Sequence, residues 1–299
     1  MATKSSKKPV RKTNTSAKKT SSSRTAAAKA TKKVVAAKAV KTTAKADGTS
    51  RGVKRMRIFH AVIGLLHAVQ GAIILWQANN FSVPVTTSFL TADSLAEGRP
   101  LVSASRQLFD VRVAWLVASF MFVAALAHLS VATVFSKRYQ RILGNGVNLW
   151  RWLVWVLTAG LILIIVALLA GVRDAAALAL LFVVGEGLHV TGYQLESGSK
   201  AYPHLPWRLA LKFTVTIAVV LAWTVYAANH YGGSSLPNYV YWLLAVSAVY
   251  FGLFTYVAYS YFKKRGQLAD FTTVEKTYAA IDLAAKSSIA WIIFAAVLK

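Results

Sequence analysis

Residues 152–170 form a run of 19 positions without a charged side chain. A helix needs about 20 mostly apolar residues to cross the hydrocarbon core of a bilayer. Six further stretches of comparable character accompany this one. Together the seven cover roughly 58–78, 112–135, 150–171, 176–196, 206–228, 238–262 and 274–298. A buried helix of a soluble protein can imitate any one of them, but not seven in succession. Composition agrees: 56% of the 299 residues are hydrophobic and 15% charged, against about 25% charged in soluble domains. The predicted fold is an all-α membrane protein, a seven-transmembrane helix bundle.

The net charge of +25 sits unevenly on this oily chain. Residues 1–57 hold 18 basic side chains and one acid, Asp47, and so carry +17. The segment 1–55 is rich in Lys, Ala, Thr and Ser and has no aromatic residue before Phe59. Such a composition buries too little apolar surface to offset its ordering entropy, which predicts a disordered basic tail ahead of a membrane domain at 56–299. The tail is open to several roles. Pairs such as Lys18-Lys19 and Lys32-Lys33 suit polyanion binding by counterion release. The same charges suit contact with anionic lipid. A Ser-rich, acid-poor leader also fits an organelle transit peptide. The plainest role is a solvated cytoplasmic tail that helps set topology.

Lys and Arg in the connections set orientation. Arg51, Lys54, Arg55 and Arg57 precede the first span. Lys137, Arg138 and Arg141 follow the second, Lys200 follows the fourth, and Lys263, Lys264 and Arg265 follow the sixth. The opposite connections carry fewer: Arg99, Arg106 and Arg112 in a long loop, Arg173 in a short one, and none in 229–238. The N-terminus is therefore expected in the cytoplasm and the C-terminus outside, in the cell membrane with lipid as its surroundings. The long first outer loop, with its Thr-, Ser- and Val-rich 81–89, suits a short β-hairpin.

Charged groups inside a membrane cost about 2.5–3.5 kcal/mol each on insertion scales and are functional candidates by default. Glu186, Asp282 and Lys286 lie deep in the spans, with Arg151 near a span end. Lys286 follows Lys276 by ten residues, about 15 Å along a helix, too far for its stem to reach water. Asp282 lies one helical turn earlier on the same face. One reading is a structural ion pair. The other is a lysine that forms a Schiff base with an aldehyde, since amines of this kind condense with carbonyls, with Asp282 as counterion. Seven spans with one midplane lysine in the last is the arrangement of retinal proteins.

Local sequence carries the resemblance further. Ala285-Lys-Ser-Ser-Ile-Ala-Trp291-Ile-Ile-Phe294 resembles the retinal-lysine segment of the heliorhodopsins, retinal proteins with an N-terminus-inside topology. Lys137-Arg138-Tyr139, Asn148 with Arg151-Trp152, Gly192-Tyr193 with Glu196, and Ala78-Asn79-Asn80-Phe81 with Pro84 are similar to other family segments. The resemblance covers about 58–298. It implies all-trans retinal as cofactor, light sensing rather than pumping, a homodimer and an unidentified cytoplasmic signalling partner. It also implies a proton-accepting network at His67 and His128. Three departures stand out. The family's helix-three Glu counterion, three residues after the Arg of the Arg-Trp pair, is Val154 here. The residue four before the lysine, usually Ser, is Asp282, and the family's Ser one turn before the second histidine is Ala124. The carboxylate has in effect moved from the third span to the seventh. Asp282 is thus the expected counterion, with Glu186 as the fallback. A retinal slot needs apolar, aromatic walls, and Trp152, Gly185, Leu188, Phe251, Ser287 and Trp291 are its candidates.

Two other function classes stay open. A light-driven ion transporter or channel is one. A transporter using Asp282–Lys286 as a plain ion pair without a chromophore is the other. Cysteine is absent, and the sequence shows neither metal-ligand spacing nor a nucleophile triad, so enzyme chemistry is not expected and no metal site is assigned.

Overall fold

The computed structural model describes residues 52–93, 98, 100–198, 205–233 and 235–299. All but the last four residues of the expected tail lie outside that set. Met56–Lys299 forms one compact unit.

Among the described residues, seven helices are long and apolar enough to cross a membrane: α1 (Gly52–Gln77), α2 (Val113–Ala132), α4 (Leu149–Ala170), α5 (Ala175–Ser197), α6 (Leu205–Tyr231), α7 (Asn238–Phe262) and α8 (Phe271–Ile293). The last continues as a π-helical turn through Phe294–Leu298. An eighth helix, α3 (Ser136–Asn145), is a short amphipathic piece between α2 and α4 that buries Tyr139. It falls in the basic connection after the second span, where no helix was expected. Large apolar side chains such as Leu65, Leu153, Val183 and Trp223 are exposed on the helices. That is the correct solvation for a bundle in lipid, where the tails are as apolar as leucine.

The connection between α1 and α2 is a longer hairpin than expected, β1 (Ser82–Ala92) paired antiparallel with β2 (Leu101–Arg112). A bulge between Val85 and Thr86 bends it beside the α4–α5 turn. There the Thr86 amide donates to the Arg173 carbonyl (2.9 Å). Asp174 caps the start of α5, accepting from the Ala176 and Ala177 amides, and its other oxygen accepts from the Ser88 amide at 2.9 Å. These bonds hold the carboxyl of Asp174 below the usual carboxylate range, the Ala177 amide contributing most.

The main apolar core lies toward the hairpin end of the bundle. It gathers Ile74, Val83, Val85, Phe120, Met121, Ile165, Leu168, Ile289 and Ile293. Two smaller clusters sit at the opposite, α3 end, one around Met56, Val131 and Tyr139 and one around Val257, Val274 and Tyr278. The middle and the α3 end are therefore where polar groups gather.

Candidate functional site

Helix α8 begins at Asp270, whose carboxylate accepts from the Thr273 amide at 2.8 Å, a good N-cap. Three turns on, Asp282 and Lys286 lie one above the other and are 6% and 2% exposed. The Lys286 amine donates a hydrogen bond to Asp282 Oδ1. Lys286 is the only buried lysine among the described residues.

Two more helices bring imidazoles to this pair. His67 of α1 and His128 of α2 place their Nε2 atoms 4.0 and 3.9 Å from Asp282 Oδ2, just outside hydrogen-bond reach. Neither ring nitrogen of His67 has a hydrogen-bond partner. Their approach requires close packing of α1 on α2. Gly64 permits it, since a β-carbon there would lie 2.8 Å from Leu129 Cγ and 3.1 Å from the Ala125 carbonyl oxygen. One turn pair below, His60 Nδ1 is 2.8 Å from His128 Nδ1. The stacked rings form a column running from Asp282 toward α3. His67, His128 and Asp282 present atoms within 4.8 Å of one another that could ligate a metal. Sequence spacing could not show this grouping, because each residue comes from a different helix.

A second polar cluster closes the α3 end. The Arg151 guanidinium of α4 pairs with Glu196 of α5 and with Glu275 of α8. It lies over Tyr278, Trp152 and Trp155, 4.6–5.1 Å from their ring centroids. Glu275 also accepts from Tyr139 (3.1 Å) and from the Asn148 amide side chain (2.6 Å). Glu196 accepts from the Asn148 backbone and from the Trp152 indole. Burial raises the pKa of the Tyr139 phenol above its ordinary value, so it stays a donor. Between this cluster and Asp282 lies a cavity of about 40 Å³.

The structure thus brings Lys286, Asp282, His67 and His128 together. It places the other candidates variously. Glu186 lies 3.2 Å from His189, one turn along α5, and neither of its oxygens accepts a hydrogen bond. Trp152 sits in the Arg151 cluster, its ring against Gly192. Trp291 is 37% exposed and donates to Gln70 Oε1 at 2.8 Å, and Phe251 is 39% exposed. Gly185 is buried against Leu163, while Leu188 and Ser287 are half-buried. Sequence reasoning did not single out His60, Asn148, Tyr139 or Glu275 as site residues. A signal existed: His60 and His67, like Glu275 and Asp282, are seven residues apart, two turns along one helical face.

The donor set fits an aldehyde cofactor held through its carbon: a buried primary amine with a carboxylate one turn away. The 40 Å³ cavity is of a size for water, not for a polyene, so Lys286 and Asp282 are the residues that carry the fit.

Seven spans, with a buried lysine–carboxylate pair on the last, make a fold similar to that of the microbial rhodopsins. The transmembrane domain of the Salpingoeca rosetta rhodopsin phosphodiesterase superposes with a TM-score of 0.59 at 15% identity, over 83% of this chain and 87% of that one. The light-driven proton pump of Coccomyxa subellipsoidea gives 0.55 at 15% identity, over 82% and 96%. A cyanorhodopsin of the cyanobacterium Calothrix gives 0.54 at 14% identity, over 81% and 93%. No curated protein sequence matches the chain. The heliorhodopsin family model matches residues 56–298, and the chain belongs to the heliorhodopsin family.

Proposed function

We propose that this heliorhodopsin is a light sensor that binds all-trans retinal at Lys286, uses Asp282 as counterion, and signals rather than pumps. The observation that carries the reading is the contact between two nearly inaccessible charged groups, Lys286 and Asp282. Retinal supplies visible absorption and a light-driven isomerisation. The chain supplies the rest. The Asp282 carboxylate holds positive charge at the Lys286 nitrogen in a place where an isolated charge is costly. His67 and His128 stand beside that carboxylate as acceptors for a proton leaving the nitrogen. Asp282 is the carboxylate in contact with the Lys286 amine, which favours it over Glu186 as counterion.

Signalling is favoured over pumping because α4 and α7 contain no acid and the core toward the hairpin end is apolar, so the chain of carboxylates at the α3 end does not continue to the other face. The distribution of Lys and Arg supports a cytoplasmic N-terminus in the cell membrane. A homodimer, a cytoplasmic partner and contact of the basic tail with anionic lipid or another polyanion complete the reading. It is the reading of a receptor and not of an enzyme, in which Lys286 is paired with Asp282 and Arg151 with Glu196 and Glu275.

The test is reconstitution with retinal. The parent chain becomes coloured, and borohydride under illumination fixes a retinyl group on Lys286. Lys286→Ala stays colourless. A variant that keeps the visible band removes the central assignment, and a light-dependent current in cells would replace the sensor with a transporter.

A further inference from the structure

The Arg151 cluster carries one cation and two carboxylates, while the Lys286–Asp282 pair is balanced. That cluster thus holds one excess negative charge, at the α3 end. A proton released in the middle of the bundle is drawn toward that site.

A path leads there. Glu275 and Asp282 lie seven residues apart on one face of α8, about 10 Å by helical rise. The cavity between them is lined by His60, His128, Tyr139 and Asn148, with the two carboxylate side chains also in its wall. A volume of about 40 Å³ exceeds the roughly 10–15 Å³ that one water needs, and the wall offers it several polar partners. The fixed groups already bridge most of the distance. His128 stands 3.9 Å from Asp282 and 2.8 Å from His60. The Tyr139 and His60 rings meet in a T-shape with centroids 5.0 Å apart, and the Tyr139 hydroxyl donates to Glu275 at 3.1 Å.

We propose that Glu275 is the terminal proton acceptor of a relay that starts at Asp282, and that its protonation releases α8 from Arg151. The inference rests on the retinal reading of Lys286. A proton leaves the Lys286 nitrogen for the Asp282 carboxylate. A proton then passes by His128, His60 and cavity water to a Glu275 oxygen. Glu275 becomes a neutral acid, its ion pair with Arg151 breaks, and Arg151 keeps Glu196. No proton leaves the protein and no electron moves. The groups facing the acceptor are Tyr139 of α3, Asn148 and Arg151 of α4, Glu196 of α5, and Tyr278 and Asp282 of α8, with His60 and His128 across the cavity. Because Arg151 joins α4, α5 and α8, the proton's arrival also changes which helices are tied together.

The test is light-induced infrared difference spectroscopy on the full retinal-loaded chain. A new carboxylic-acid carbonyl band is expected. It shifts when glutamate is carbon-13 labelled, vanishes in Glu275→Gln and persists in Glu196→Gln. A second arm keeps the question open to refutation if Glu275→Gln does not fold. In the retinal-free chain, carbon-13 NMR follows the Glu275 carboxyl through a pH titration, and Asp282→Asn moves its midpoint. Two outcomes overturn the relay while leaving the chromophore intact: a coloured Glu275→Gln protein that keeps the band, or a band that shifts only with aspartate labelling. An unmoved NMR midpoint overturns it as well. A parent chain that never takes up colour overturns the retinal reading and this inference together.

Discussion

Replacing Asp282 by Asn in the retinal-free chain isolates the worth of its contact with Lys286. The change is nearly isosteric, so little cavity is created, but the buried amine loses its counter-charge. Two unit charges about 4 Å apart interact by ~4 kcal/mol at an effective dielectric of 20. Removing one partner of a buried pair typically costs about 3–5 kcal/mol, because the other is left uncompensated. The pair is at the enclosed extreme, with side chains 9% and 3% exposed. His67 and His128, the other polar groups beside Asp282, lie beyond hydrogen-bond reach of it. Asp282→Asn alone should therefore destabilise the fold by about 3 kcal/mol or more, whereas Asp282→Asn combined with Lys286→Met should recover most of the loss. Unfolding in mixed micelles, followed by the fluorescence of the nine tryptophans, measures all corners of the cycle. A double variant as unstable as the single one would refute the idea that the charges stabilise one another. In the retinal-loaded protein the same Asp282→Asn change should move the visible band to the red, and an unchanged band would transfer the counterion role to Glu186.

The hairpin tether makes an acid-sensitive contact. The Asp174 carboxyl is held below its unfolded value, so its stabilising contribution is complete above the ordinary carboxylate range and is lost as pH falls through the lowered folded value. Hydrogen exchange at the Ser88 amide should show protection at neutral pH that disappears in acid, and Asp174→Ala should remove that protection at all pH values. Gly64→Leu should force α1 away from Leu129 and the Ala125 carbonyl, costing about 1–3 kcal/mol as overpacking does, and should weaken retinal uptake by parting His67 from Asp282. Deleting residues 1–50 should leave the absorption band in place, since the family match begins at residue 56. A shifted band would tie the tail to the bundle.

The seven spans could be read from sequence because insertion in lipid depends on local hydropathy, summed over about 20 residues. The bounds show it: 238–262 was expected as the sixth span and α7 is Asn238–Phe262. The Lys286–Asp282 contact was equally legible, because four residues along one helix is a distance that the backbone imposes by itself. The hairpin was foreseen in kind but not in length. Its pairing depends on register and on the Thr86 and Ser88 bonds to the α4–α5 turn. Phe251 and Trp291 mark the limit of such reading. A helix that is apolar on every side has no pattern to say which face turns inward, and both aromatics are more than a third exposed.

The sequence by itself determined how often the chain crosses the membrane and which lysine and carboxylate meet inside it, because both follow from periodicity along single helices. Only the tertiary structure decided that His60, His67 and His128 line up from two helices, and that Arg151 is shared between Glu196 and Glu275. Those contacts depend on the rotation and depth at which separate helices pack, and that is settled by close-fitting points such as Gly64 against Leu129, not by any property of a single segment.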